Sequence, residues 1–140
     1  MARSRFLDHI DLRVKNLEAA DAFYRKILPA LGFPKRNIEK TGVSFDSARE
    51  HIKPEFISLI EDPDHVPNKT RIAFWCDSQA GVDDFVRTLK DTPAKNVEGP
   101  MFCPEYSPIY YAVFFEDPCG NRLEVCCRIA ETAKGRTKSS

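Results

Sequence analysis

Two stretches of this 140-residue chain carry the same succession of patterns, and that repetition restricts the fold more than any other feature. In the first, FLDHIDLRV at residues 6–14 alternates with period two. A strand so written puts Ile10, Leu12 and Val14 on one face and His9, Asp11 and Arg13 on the other. Asn16 stands where a helix N-cap belongs, and Ala20, Phe23, Tyr24, Ile27 and Leu31 recur at helical spacing, with Pro29 and Gly32 marking the end. Strands are predicted at 43–46 and 56–61, loops at 34–36 and 48–54, and a connector at 62–69, where Pro, Asp and Asn cluster. The second stretch repeats the order. TRIAFWC at 70–76 reads as a strand, Ser78 as a cap, and Val82, Phe85, Val86 and Leu89 as an apolar helical stripe. YYAVFFE at 110–116 is strongly β-prone, DPCGN at 117–121 has turn chemistry, and RLEVCCR at 122–128 closes the half. Each half alone would leave a sheet face uncovered, so an internal duplication is the economical reading.

Composition narrows the partners. Lys plus Arg and Asp plus Glu both number 21, a balance too neutral to hold a polyanion, so no nucleic acid is expected. No apolar run approaches the ~20 residues of a membrane span, and MARSRFLDH lacks the apolar stretch of a signal peptide, so no membrane association is expected and a cytoplasmic location is. The 5 cysteines form no CxxC pair and read as reduced thiols. The basic, polar end at 133–140 is expected to be a flexible tail.

Three segments together resemble the vicinal oxygen chelate superfamily, which holds glyoxalase I, bleomycin- and fosfomycin-resistance proteins and extradiol dioxygenases. They are LDHIDLRVKNLEAADAFYRKILPALGF at 7–33, RIAFWCDSQAGVDDFV at 71–86 and YYAVFFEDPCGNRLEV at 110–125. The closing DPxGNxxE, here Asp117 to Glu124, is the most specific piece. The resemblance implies an α+β fold of two βαβββ modules, forming curled mixed sheets around a cavity, in a homodimer. A glyoxalase-like domain is then expected over 1–132, with module one at about 5–62 and module two at about 70–128.

Metal-binding relatives place ligands at matching ends of the module strands. Carried over by position, the first-strand His is His9, the first module's last-strand carboxylate falls at Ser58, the second module's first-strand His at Arg71, and its last-strand Glu is Glu124. A divalent site usually needs three or four donors from His, Cys, Asp or Glu. Ser58 is a weak neutral ligand, and Arg71 keeps its proton and offers no lone pair. A fixed positive charge also repels a dication. At ~4 Å and an effective permittivity near 20, two unit charges interact by ~4 kcal/mol, and a dication doubles that. The metal site is therefore expected to be degenerate, with the cofactor either none or a weakly held divalent metal on His9 and Glu124.

Each residue keeps a plainer reading beside the functional one. Arg71 either neutralises Glu124, holds an anionic substrate oxygen in its fork, or forms an ordinary ion pair with Glu124. His9 is a ligand, a general base or a hydrogen-bonded interior histidine. Glu124 is a ligand, a base of raised pKa or half of a salt bridge. Tyr110, sharing a face with Ala112 and Phe114, lines a cavity or packs a core; Trp75, sharing a face with Arg71 and Ala73, stacks on a ligand or packs. Cys126 shares the Glu124 face and is a reactive or an inert buried thiol. His51 and His65 fall in polar loops. Three functions compete: a metal-dependent lyase or dioxygenase using His9 and Glu124; a metal-free small-molecule binder; and a metal-free enzyme with Glu124 as base and Arg71 as oxyanion partner. The reading adopted is a small-molecule cavity with catalytic candidates Glu124 and Arg71 and substrate-binding candidates Ser58, Tyr110 and Trp75. The partners are then a small-molecule ligand and a second copy of the chain.

Overall fold

In the computed structural model, which describes residues 3–50 and 53–130, the chain divides into two compact units, Met1–Pro67 and Asn68–Ser140. His51 and the tail expected at 133–140 lie outside the described residues.

The first unit runs β1 (His9–Val14), α1 (Leu17–Ile27), a 3-10 turn (Pro29–Leu31), β2 (Lys35–Ile38), β3 (Gly42–Asp46) and β4 (Phe56–Glu61). Asn16 caps α1 by accepting the Ala19 N–H at 3.0 Å, with Glu18 in the first turn and Arg25 and Lys26 in the last, as the helix dipole favours. Pro29 opens the 3-10 turn and Gly32, at φ +100°, closes it in the left-handed region. The sheet order is β1-β4-β3-β2, with β1 parallel to β4 and the other pairs antiparallel. Ala20, Phe23, Tyr24 and Ile27 of α1 and Val14, Val43, Phe45, Ile57 and Leu59 of the strands form the buried side. Burying one large apolar side chain contributes about 1.5–3 kcal/mol, so this stripe is what holds the helix to the sheet.

The second unit repeats the plan: β5 (Arg71–Trp75), α2 (Gln79–Leu89), β6 (Lys95–Phe102), β7 (Tyr111–Glu116) and β8 (Arg122–Cys127), in the order β5-β8-β7-β6. Ser78 caps α2 by accepting the Gly81 N–H at 2.9 Å. Val82, Phe85, Val86 and Leu89 are buried, as the stripe predicted, beside Val113, Phe115, Leu123, Val125 and Cys127. Neither sheet is closed; among the described residues β1 and β2 edge the first, β5 and β6 the second.

Two strands depart from the sequence expectation. Residues 35–36, expected in a loop, open β2, whose KRNI has no apolar alternation. It forms because β3 supplies a hydrogen-bonding edge and because Arg36 bonds Asp21 of α1 through two contacts, at 2.9 and 2.7 Å. Strand β6, KNVEGPMF, was not anticipated. It pairs with β7 through two register shifts and exposes most of its side chains.

Candidate functional site

The open face of each sheet, opposite its helix, carries the candidate residues. In the second unit the register sets Glu98, Phe114, Glu124 and Ala73 in one row across β6, β7, β8 and β5. Glu124 is only 5% exposed, and its carboxylate accepts the Tyr110 hydroxyl. Tyr110 reaches it from the segment 103–110, which is folded by turns: Cys103 and Tyr110 bond through the backbone at 2.8 Å, and Tyr106 and Ser107 bond back to Cys103. Burial, reinforced by the Glu124 bond, pushes the Tyr110 phenol far above its ordinary range, so it stays a donor. Cys103, Ala112, Phe114 and Cys126 form a buried cluster with Tyr110 packed against it. Burial pushes both thiols up as well, which favours the inert reading of Cys126. Tyr111 points the other way and donates to Asp83 of α2 at 2.6 Å, so the period-two assignment of the two tyrosines holds.

Arg71 crosses the sheet toward the same row. Its guanidinium carbon lies 4.8 Å from the centre of the Phe114 ring. Among the described residues it makes no ion pair with Glu124, so the plain salt-bridge reading of these two residues is replaced by a cation–π contact and a tyrosine-bound carboxylate. Trp75 is 51% exposed, donates its indole N–H to Asp77 at 2.7 Å, and has the Arg128 guanidinium 5.7 Å from its ring centre.

On the first sheet, His9 and Ser58 share the corresponding face. His9 is stacked on Phe56, with centroids 4.5 Å apart and planes 3° from parallel. Its Nδ1 is 2.7 Å from Asp8 and its Nε2 3.6 Å from Asp11, and its side chain is 40% exposed, so it is not an interior histidine. The Asp8 hydrogen bond raises its pKa against a smaller opposing effect of burial, with the charge of Asp11 adding to the rise. Ser58 sits between Asp11 and Ser44 in register and lines a cavity of about 380 Å³ with Asp11, Glu39 and Phe56. Beside it, Ser44 donates to Glu39 at 2.9 Å, and Asn37 donates to Asp46 at 3.1 Å. Among the described residues no group of three or more His, Cys, Asp and Glu side chains is arranged to hold a metal ion.

The structure thus gathers Arg71, Tyr110 and Glu124 on one sheet and His9 and Ser58 on the other. Sequence reasoning missed Asp8 and Asp11 as partners of His9, although the alternation DHID displays them. It missed Glu98 and Tyr106 because β6 and the segment after it carry no periodic signal.

A family model described as Glyoxalase/Bleomycin resistance protein/Dioxygenase superfamily matches residues 6–125. Among solved structures, a glyoxalase/bleomycin resistance protein from Albidiferax ferrireducens is 19% identical at a TM-score of 0.69, covering 88% of this chain and 98% of that one. A genomically encoded fosfomycin resistance protein from Listeria monocytogenes is 20% identical at 0.67, covering 96% and 99%. A lactoylglutathione lyase from Agrobacterium tumefaciens is 21% identical at 0.61, covering 91% and 96%. At these identities the likeness is one of fold.

Proposed function

Since this chain belongs to the glyoxalase/bleomycin resistance protein/dioxygenase superfamily, we propose that it binds a small organic molecule at the open face of its second sheet, without a resident metal. Members of this superfamily often depend on a metal. The observation that carries the reading is the pairing at Glu124: this buried carboxylate accepts the Tyr110 hydroxyl, and the neighbouring strand β5 contributes a guanidinium, Arg71, where the resemblance implies an imidazole. Taken one sheet at a time, the donors do not fit a divalent ion. On the second, the thiols are held protonated by burial and the guanidinium repels a cation. On the first, among the described residues, no three His, Cys, Asp or Glu side chains converge as a divalent ion requires.

In this reading Arg71 holds an anionic oxygen of the ligand through its N–H fork, while Phe114 fixes the guanidinium from one side. Tyr110 orients the Glu124 carboxylate by donating its hydroxyl; Trp75 offers a ring face at the far end of β5, and Ser58 serves the first unit's own cavity. Glu124 is the proton acceptor and Arg71 the oxyanion donor of any reaction performed here. One glyoxalase-like domain over 1–132, with modules at about 5–62 and 70–128, is supported by the family match and by the boundary after Pro67. Homodimeric assembly and a cytoplasmic location complete the proposal, the latter supported by 5 cysteines that are all free thiols.

Elemental analysis of protein purified without chelators tests the reading, and far less than one metal per chain is expected. Stoichiometric Fe, Zn, Ni or Mn, lost in both His9→Ala and Glu124→Ala, would overturn it in favour of a metal-dependent lyase or dioxygenase using those two ligands.

A further inference from the structure

The second unit brings to Arg71 a set of charges that the reading above leaves unused. Two cavities of about 250 and 170 Å³ both have Arg71, Glu98 and Phe114 in their walls. Met101, Glu105 and Tyr106 complete the smaller one. The register explains how opposite charges meet there. Glu98 faces Phe114 directly across β6 and β7, while Arg71 arrives from the opposite edge strand and lays its guanidinium on the same ring. The guanidinium carbon is thus 4.8 Å from the centre of a ring whose strand neighbour is Glu98, and both charges line the same two cavities.

Among the described residues, Arg71, Glu98 and Glu105 enter no ion pair and no side-chain hydrogen bond. Elsewhere on this chain, partly exposed charges do pair, as Arg36 does with Asp21 and Arg5 with Glu55. The Phe114 ring steadies the guanidinium through its π-face and takes up none of its N–H donors in a hydrogen bond, and a guanidinium's N–H fork matches a carboxylate. Tyr106 is 59% exposed and stands edge-on to Tyr110 at 5.1 Å, offering a ring to an apolar group.

The charges decide what fits. A simple anion is drawn to Arg71 but repelled by two carboxylates. A simple cation meets the reverse. A molecule carrying both signs satisfies all three groups. The geometry points to a subsite for a small zwitterion, its carboxylate in the Arg71 fork, its ammonium between Glu98 and Glu105, and its apolar part against Met101 and Tyr106. This rests on the proposal that Arg71 holds an anionic oxygen, and adds the cationic half of the ligand.

Three probes with one ring and different charges test it by calorimetry on the full chain: L-phenylalanine, 3-phenylpropionate and 2-phenylethylamine. The zwitterion is expected to bind at least about tenfold tighter than either singly charged probe. Its binding is expected to shift the ring resonances of Phe114 and Tyr106. Glu98→Gln with Glu105→Gln, both exposed positions, should erase the preference by weakening L-phenylalanine and strengthening 3-phenylpropionate. If 3-phenylpropionate matches the zwitterion in the native chain, the zwitterion subsite is refuted while the anion site stands. If the amine binds best, or none of the three binds at millimolar concentration, both are refuted.

Discussion

The Tyr110 hydroxyl donates to a carboxylate that is 5% exposed, and a buried acceptor stripped of its donor bears its whole desolvation penalty. Tyr110→Phe is therefore expected to cost about 1–3 kcal/mol in urea unfolding. Adding Glu124→Leu should return part of that loss, because replacing both partners by apolar groups removes the orphan. A double variant less stable than Tyr110→Phe alone would mean that Glu124 is held by something else. His9 gives a prediction in pH. Its native pKa is raised above the ordinary 6.5 by Asp8 foremost, so the unfolded state loses the proton first as pH climbs. The stabilisation is complete below about 6.5 and fades as pH rises through the native value. An NMR titration should find the His9 imidazole above 6.5, and Asp8→Asn should bring it down; an unchanged midpoint in Asp8→Asn would refute the assignment. Asp117 shows how a signature can be structural. Its carboxylate accepts the Cys119 and Asn121 N–H groups at 2.8 and 3.0 Å and the Asn121 amide at 2.9 Å, with Gly120 at φ +91° in the turn. The most specific piece of the family resemblance thus builds the β7–β8 hairpin that delivers Glu124.

Each helix begins at a side-chain cap read directly from the sequence, Asn16 for α1 and Ser78 for α2. Asn16→Ala and Ser78→Ala should each cost about 1 kcal/mol, measured by thermal or urea unfolding, and a cost near zero at either would show that the packed stripe alone sets that helix start. Strands β1, β4 and β5 were legible from alternating side chains, and β3, β7 and β8, buried along most of their length, from short β-prone apolar runs. Strands β2 and β6 were not. Neither carries an apolar alternation of its own, and each is held in its sheet by pairing with one antiparallel neighbour, β3 or β7. Missing β6 also hid Glu98, because nothing in KNVEGPMF marks that carboxylate as the one lying across from Phe114.

The whole molecule is one plan executed twice, with sheet orders β1-β4-β3-β2 and β5-β8-β7-β6 superimposable element by element in their connectivity. The proposed absence of a resident metal has a consequence at this scale. A tightly held ion stabilises the folded state by mass action, and stripping it lowers the melting temperature. Dialysis against EDTA is expected to leave the melting temperature within about 1 °C of the untreated protein. A fall reversed by one added divalent metal would show that the ion belongs to the fold.

The sequence by itself determined the elements whose signals are local: helical stripes at spacings of three and four, strands at spacing two, caps, and the DPCGN turn. It also put an arginine at position 71, and a guanidinium, always protonated, offers no lone pair whatever surrounds it. Only the tertiary structure decided which groups become partners. On paper Glu124 had Arg71 as its partner and Tyr110 was a cavity or core residue, yet the turns of 103–110 placed the phenol against the carboxylate while the guanidinium settled on Phe114. His9 likewise turned to Asp8 and Asp11. The reason is geometric: a hydrogen bond or cation–π contact exists only over a few ångströms, and strand register and the backbone path, not residue type, set which groups come that close.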